Sequence, residues 1–170
     1  MPPRDAVDGY IAQWRRERPD VDPSPIGVIG RISRLAVLLE QGLDRVYSRH
    51  GLGGGDFDVL ATLRRQGSPF RLTPGELTRS TMITTGGMTK RLDRLEAAGL
   101  VRREPDPSDG RGKLIALTPQ GRELVDRVVG AHLANEDSLL HGLSAAKRKE
   151  LASLLRELIL SLEDDGATLR

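Results

Sequence analysis

A chain of 170 residues has room for one domain with helical extensions, and at that size it buries roughly 70 % of its unfolded surface without needing covalent staples. It has no cysteine, which excludes a disulfide framework, thiol chemistry and thiolate metal sites. The 26 basic and 24 acidic residues leave a net charge of +2, too little to identify a nucleic-acid partner, although the sequence pI of 9.3 leans that way.

The first predicted element is a brief helix carrying Tyr10, Ile11 and Trp14 and ending at Pro19. A proline-rich link follows. Ser24 and Pro25 then read as N-cap and first position of a long helix, with Ile29, Ile32, Leu35, Ala36, Leu39, Leu43 and Val46 at helical spacing. His50-Gly51 stops it, and Gly51 to Gly55 reads as a loop. Asp56 is expected to cap a short helix bearing Phe57, Leu60 and Leu63. Thr73-Pro74-Gly75-Glu76 is a capping box with proline at the first helical position. That helix runs to about Ser80. After a turn, another starts at Thr84 or Thr85 and ends at Ala98, where Gly99 supplies the left-handed position.

The period then changes. Leu100 to Glu104 and Lys113 to Leu117 read as two strands joined by a long turn-rich tip, Pro105 to Gly112. Thr118-Pro119 opens a helix lined by Leu124, Val125, Val128, Val129 and Leu133. Ser144 caps a last helix with Leu151, Leu154, Leu155, Leu158, Ile159 and Leu162 on one side. The fold class is therefore mainly α with a small β-hairpin, a winged helix-turn-helix between N- and C-terminal dimerisation helices. The expected domains are 1–48, an extension helix and long dimerisation helix; 49–118, the winged lobe; and 119–170, further dimerisation helices.

In such a lobe the second helix enters the major groove. Thr84, Thr85, Thr89, Lys90, Arg91 and Arg94 lie before and on it, and supply the donors that phosphates and base edges require. From Ser80 to Arg103, five cations (Lys90, Arg91, Arg94, Arg102, Arg103) face two acids (Asp93, Glu96), a balance of +3 that exceeds the whole chain's. Gly86-Gly87 permits close backbone approach, either to DNA or to the preceding helix. All five aromatic residues fall in the first 70 positions, which argues against a base-stacking single-strand binder.

Four runs of residues carry a resemblance: Leu72 to Leu77, Gly87 to Arg103, Pro105 to Arg111, and Leu117 to Arg122. In that order they closely resemble the MarR family of bacterial transcriptional regulators, and the flanking helices extend the resemblance over nearly the whole chain. It implies a homodimer that binds double-stranded DNA at an imperfect palindromic operator, usually a repressor released by a small ligand. In the family's wing an Asp orients an Arg that reaches the minor groove; Asp109 and Arg111 match those positions. Gly110 stands where the family usually has a second basic residue.

The added N-terminal segment, Gln13 to Asp20, together with Thr84 to Thr89, looks like the urate-responsive subgroup. That likeness implies a ligand pocket at Trp14, Asp58, Arg91 and Arg103, suited to a small anionic, phenolic or purine ligand. Forked guanidinium donors and an indole face fit a flat anion.

Each of these positions also has a plain structural reading. Trp14 could be a core or dimer-packing residue. Asp58 near a helix start could complement the helix dipole. Arg91 could meet a phosphate, and Arg103 could pair with Glu104 or Asp106. His132 and His141 read as surface or interface residues, nine positions apart and outside metal-ligand spacing. An enzyme is the rival class, but there is no phosphate loop, nucleophile elbow or triad-like motif, so neither catalysis nor a cofactor is expected. A winged module that binds protein without ligand control is the other alternative; an acidic recognition helix would favour it, and this one is basic. No run of 18 apolar residues spans a membrane, and Met1 to Tyr10 lacks an apolar signal core, so a cytoplasmic chain is expected.

Overall fold

The computed structural model describes residues 3–81 and 87–164, apart from the side chain of Arg111. The described elements are α1 (Ala6–Glu17), α2 (Ile26–Ser48), α3 (Gly54–Arg65), β1 (Arg71–Leu72), α4 (Pro74–Ser80), α5 (Met88–Ala97), β2 (Val101–Asp106), β3 (Asp109–Leu117), α6 (Pro119–Leu139) and α7 (Ala145–Asp164). The architecture is mainly helical with a small antiparallel sheet, as the sequence pattern predicts. The chain forms two compact units, one through His132 and the other from Leu133 onward. The boundary lies inside α6, because Val125 and Val128 of its first half belong to the core of the first unit.

α1 starts at a reciprocal cap. The Asp5 carboxylate accepts from the N–H groups of Val7 (2.8 Å) and Asp8 (3.1 Å), and the Asp8 carboxylate accepts from Asp5 N–H (2.9 Å). Both acids also bind Arg31 of α2, at 2.8 Å each. The Arg31 hydrogen bond holds the Asp5 carboxyl below the ordinary carboxylate range; for Asp8 the Asp5 N–H is the larger cause and Arg31 the second. Val7, 1 % exposed, packs against Gly30 of α2.

α2 departs from expectation at its start. Its N-cap is Pro25, with no side-chain cap. Ser24 instead donates both its hydroxyl and its own N–H (3.0 Å) to the Asp22 carboxylate. A local turn thus takes up the hydroxyl that would have capped the helix. Only Val46 and Tyr47 of α2 are buried. α3 also begins earlier than predicted. Gly53 is the N-cap, and Asp56 sits two residues inside the helix, where its carboxylate accepts Gly53 N–H at 3.0 Å.

The core of the first unit gathers Phe57, Leu60 and Leu63 of α3, Leu77 of α4, Met88, Leu92 and Leu95 of α5, Val101 and Ile115 of the sheet, and Val125 and Val128 of α6. His132 of α6 is half-buried beside this core. Its Nδ1 lies 3.0 Å from the Tyr47 hydroxyl, and its ring stands 4.7 Å from that of Phe57. His141 is exposed, its Nδ1 2.8 Å from Ser138 O.

The sheet has the order β1-β3-β2. β2 and β3 run further into the tip than expected, up to the pair Asp106 and Asp109. The turn is therefore only Pro107-Ser108, with the Asp106 carboxylate accepting from Ser108 N–H (2.8 Å) and Oγ (2.7 Å). β1 was not anticipated. Its two residues pair with Ala116 and Ile115, too short a run to show a period. In the second unit, Arg148 of α7 binds the Asp137 carboxylate, and Ser144 O accepts Arg148 N–H at 2.9 Å. No residue of α7 is buried.

Candidate nucleic-acid interface

α4 and α5 form the helix-turn-helix. The predicted box is present on α4: Thr73 Oγ1 accepts Glu76 N–H (3.2 Å), and the Glu76 carboxylate accepts Thr73 N–H (2.8 Å). The Thr73 N–H, and after it the Thr73 hydroxyl at 2.8 Å, hold the Glu76 carboxyl below its ordinary range. On α5 the buried residues Met88, Leu92 and Leu95 recur at helical spacing and seat the helix on the core. Thr89, Lys90, Asp93 and Arg94 are left on the exposed face. The C-terminus closes as anticipated. Gly99 adopts φ +71°, and Leu100 N–H donates to Leu95 O at 3.0 Å.

Two ionic contacts hold α5 from either side. On the α3 side, Asp56 is 4 % exposed. Its Oδ1 accepts a hydrogen bond from Arg94 and stands 3.9 Å from Arg91 Nε. The Arg91 guanidinium lies over Gly55, where a Cβ would fall far inside contact distance. Its side chain is only 19 % exposed, and its buried Nε and Nη1 have no hydrogen-bond partner among the described residues. On the wing side, Arg103 of β2 binds the Asp93 carboxylate at 2.6 Å and that of Glu96. Glu96 also accepts Arg103 N–H, at 3.0 Å. The hydrogen bond to Asp93 is the largest effect holding Arg103 further toward its charged form.

The residues singled out from sequence are thus distributed as follows. Arg91 and Arg94 meet at one carboxylate. Arg103 pairs with two acids of α5 rather than with Glu104 or Asp106; Glu104 instead receives Arg102 at 2.6 Å. Asp58 is half-buried on α3. Trp14 is 49 % exposed on α1, its carbonyl accepting Arg18 N–H at 2.8 Å. Asp109 is exposed at the wing turn, and Arg111 follows in β3. Thr84 and Thr85, and the side chain of Arg111, lie outside the described residues.

Asp56 and Gly55 were missed as partners of α5, because Gly53-Gly54-Gly55 reads as a flexible loop. The signal available was a third glycine directly before a buried acid. Asp93 and Glu96 were counted only as charge. Their three-residue spacing places both on one helix face, where a single arginine reaches them. Among the described residues no group of three or more His, Asp or Glu could hold a metal ion, and no helix is long and apolar enough to cross a membrane.

Comparison with known proteins gives this geometry a context. Residues 50–112 match the model of the MarR family. The chain is 43 % identical over 149 residues to the HTH-type transcriptional regulator PecS of Dickeya dadantii, covering 88 % of this chain and 90 % of that one. Among solved structures it is similar to Sco3205 of Streptomyces coelicolor, a MarR family regulator in complex with DNA. Identity there is 29 %, with a TM-score of 0.74 over 84 % of this chain and 89 % of that one. It is also similar to BpsR of Bordetella bronchiseptica, whose DNA binding is regulated by 6-hydroxynicotinic acid: 28 % identity and a TM-score of 0.69, over 78 % and 94 %. A basic recognition helix seated on a buried core, a two-stranded wing, and a relative matched over nine-tenths of its length converge: the chain belongs to the MarR family and is a DNA-binding transcriptional regulator.

Proposed function

We propose that the chain acts as a homodimeric repressor which binds an imperfect palindromic operator and is released by a small anionic ligand. The observation that carries the ligand reading is the pair of ionic contacts on α5. Arg91 at Asp56, and Arg103 at Asp93 and Glu96, are contacts for which an entering anion would compete. Such a ligand draws guanidiniums away from the carboxylates that hold the recognition helix. It shifts the population from the DNA-competent arrangement by no more than its differential affinity. The regulation of BpsR by a small aromatic acid supports this class of ligand. Trp14 offers an indole face for stacking, and Asp58 accepts from a ligand N–H.

In this reading the helices within 1–48 and 119–170 supply the dimer contacts, and the lobe at 49–118 meets DNA. Thr84, Thr85, Thr89, Lys90 and Arg94 approach the major groove and its phosphates, with Arg111, oriented by Asp109, in the minor groove. Half-sites are expected roughly 10 base pairs apart. The dimer is supported by exposed apolar residues on α2 (Val28, Ile29, Leu35, Val37, Leu38) and on α7 (Leu154, Ile159, Leu160, Leu162).

The test titrates urate, related purines, phenolic acids and tricarboxylates against a preformed operator complex, with parent and Trp14→Ala side by side. Release of the parent complex at lower ligand concentration than the variant's is expected. Identical release removes Trp14 from the pocket. No release by any of these compounds withdraws the ligand reading and leaves DNA binding standing.

A further inference from the structure

We propose that Asp56 is a positioning residue that aims Arg94 at the DNA backbone, a role separate from ligand release. The inference rests on Arg94 being an operator contact.

The argument starts from the carboxylate. Asp56 is buried in the first turn of α3, where the helix N-terminus favours a negative charge. Its two oxygens have different tasks. Oδ2 accepts Gly53 N–H and fixes the helix start; Oδ1 receives Nη2 of Arg94. A buried group tied to the backbone of another helix is a rigid anchor. Arg94 itself remains 62 % exposed. A guanidinium has five N–H donors in a fixed plane, so anchoring one through Nη2 leaves the others directed at solvent in one orientation.

An unanchored arginine loses rotamer freedom when it docks on a phosphate. Here that loss is taken at folding, so the contact is preorganised for binding. Charge is conserved in the right sense as well. Arg91 lies on the same carboxylate, and two guanidiniums against one carboxylate leave one net positive charge at this corner. Asp56 therefore orients the cation without cancelling the attraction for phosphate. Gly55 completes the seat, since only a residue without a side chain lets Arg91 lie beside Asp56 and leave Arg94 the outer position.

Asp56→Asn tests this in the full-length chain. The amide oxygen still accepts Gly53 N–H, so α3 keeps its start, while the charge that orients Arg94 is gone. Operator affinity is read by fluorescence anisotropy over a series of salt concentrations, with thermal melting alongside. The expected result is about tenfold weaker operator binding, the scale of one lost charge-assisted contact. In an Arg94→Ala background, Asp56→Asn is expected to add a clearly smaller loss, that of the Arg91 contact alone. Arg94→Lys keeps the charge but lacks the planar fork that fixes the orientation of the remaining donors, and is expected to lose a similar factor. Parent-like affinity of Asp56→Asn or of Arg94→Lys overturns the proposal. So does an equal loss with and without Arg94, which would mean that Asp56 acts through the fold alone. A loss in Arg94→Ala with none in Asp56→Asn removes the positioning role and keeps the DNA contact. No loss in Arg94→Ala removes both.

Discussion

The winged lobe and the C-terminal helix α7 have similarly apolar faces and opposite fates. In the lobe, Leu60, Leu63 and Leu77 are fully buried, closed in by α3, α4, α5 and the sheet. On α7, leucine and isoleucine recur at the same helical spacing, yet Leu154, Ile159, Leu160 and Leu162 are each at least half exposed. The difference is one of satisfied against stored apolar surface. A short-looped lobe brings its own elements together. A long terminal helix presents a face that a second chain can cover.

The largest way to break that contrast is in the lobe. Leu63→Ala empties a site with no exposure and is expected to destabilise by about 2–5 kcal/mol, read by chemical denaturation. A loss below about 1 kcal/mol would mean that the lobe core repacks as freely as a surface. Next comes the seam where α6 meets the lobe. A Cβ at Gly121 would collide with the carbonyl of Leu100, so Gly121→Ala is expected to cost about 1–3 kcal/mol. An unchanged melting temperature would show that α6 docks loosely. The smallest effect on the lobe is expected from α7. Leu155→Glu should leave the buried amides of Leu60 to Leu63 as protected from hydrogen exchange as in the parent, while the protein sediments as a monomer. A parent that is itself monomeric at micromolar concentration would overturn the stored-surface reading.

These two regions also differ in how far they were legible from sequence. Signals confined to one turn survived folding: the Thr73–Glu76 box, the Gly99 terminus and the seven-residue length of α4 all appear as the local chemistry dictates. Local competition spoiled others. Ser24 met Asp22 before it could cap α2, and Asp106 closed a two-residue turn inside what reads as a long tip. The site was least legible where it joins residues far apart in the chain. Arg94 and Asp56 are separated by 38 positions, and nothing in either neighbourhood announces the other. The family pattern drew attention to Arg91 and Arg103, yet only the fold reveals which carboxylates they hold.

The turn between α5 and β2 is also a fulcrum. The Thr118 hydroxyl donates to Gly99 O at 2.7 Å and accepts Gly121 N–H at 3.0 Å, linking the end of the recognition helix to the start of α6. From Gly121 to His132, α6 extends about 16 Å at 1.5 Å per residue, and a tilt of about 5° about that pivot sweeps its far end through roughly 1.4 Å. The leverage works in reverse as well. A displacement of about an ångström at the aromatic cluster of Tyr47, Phe57 and His132 arrives at α5 as a rotation of a few degrees.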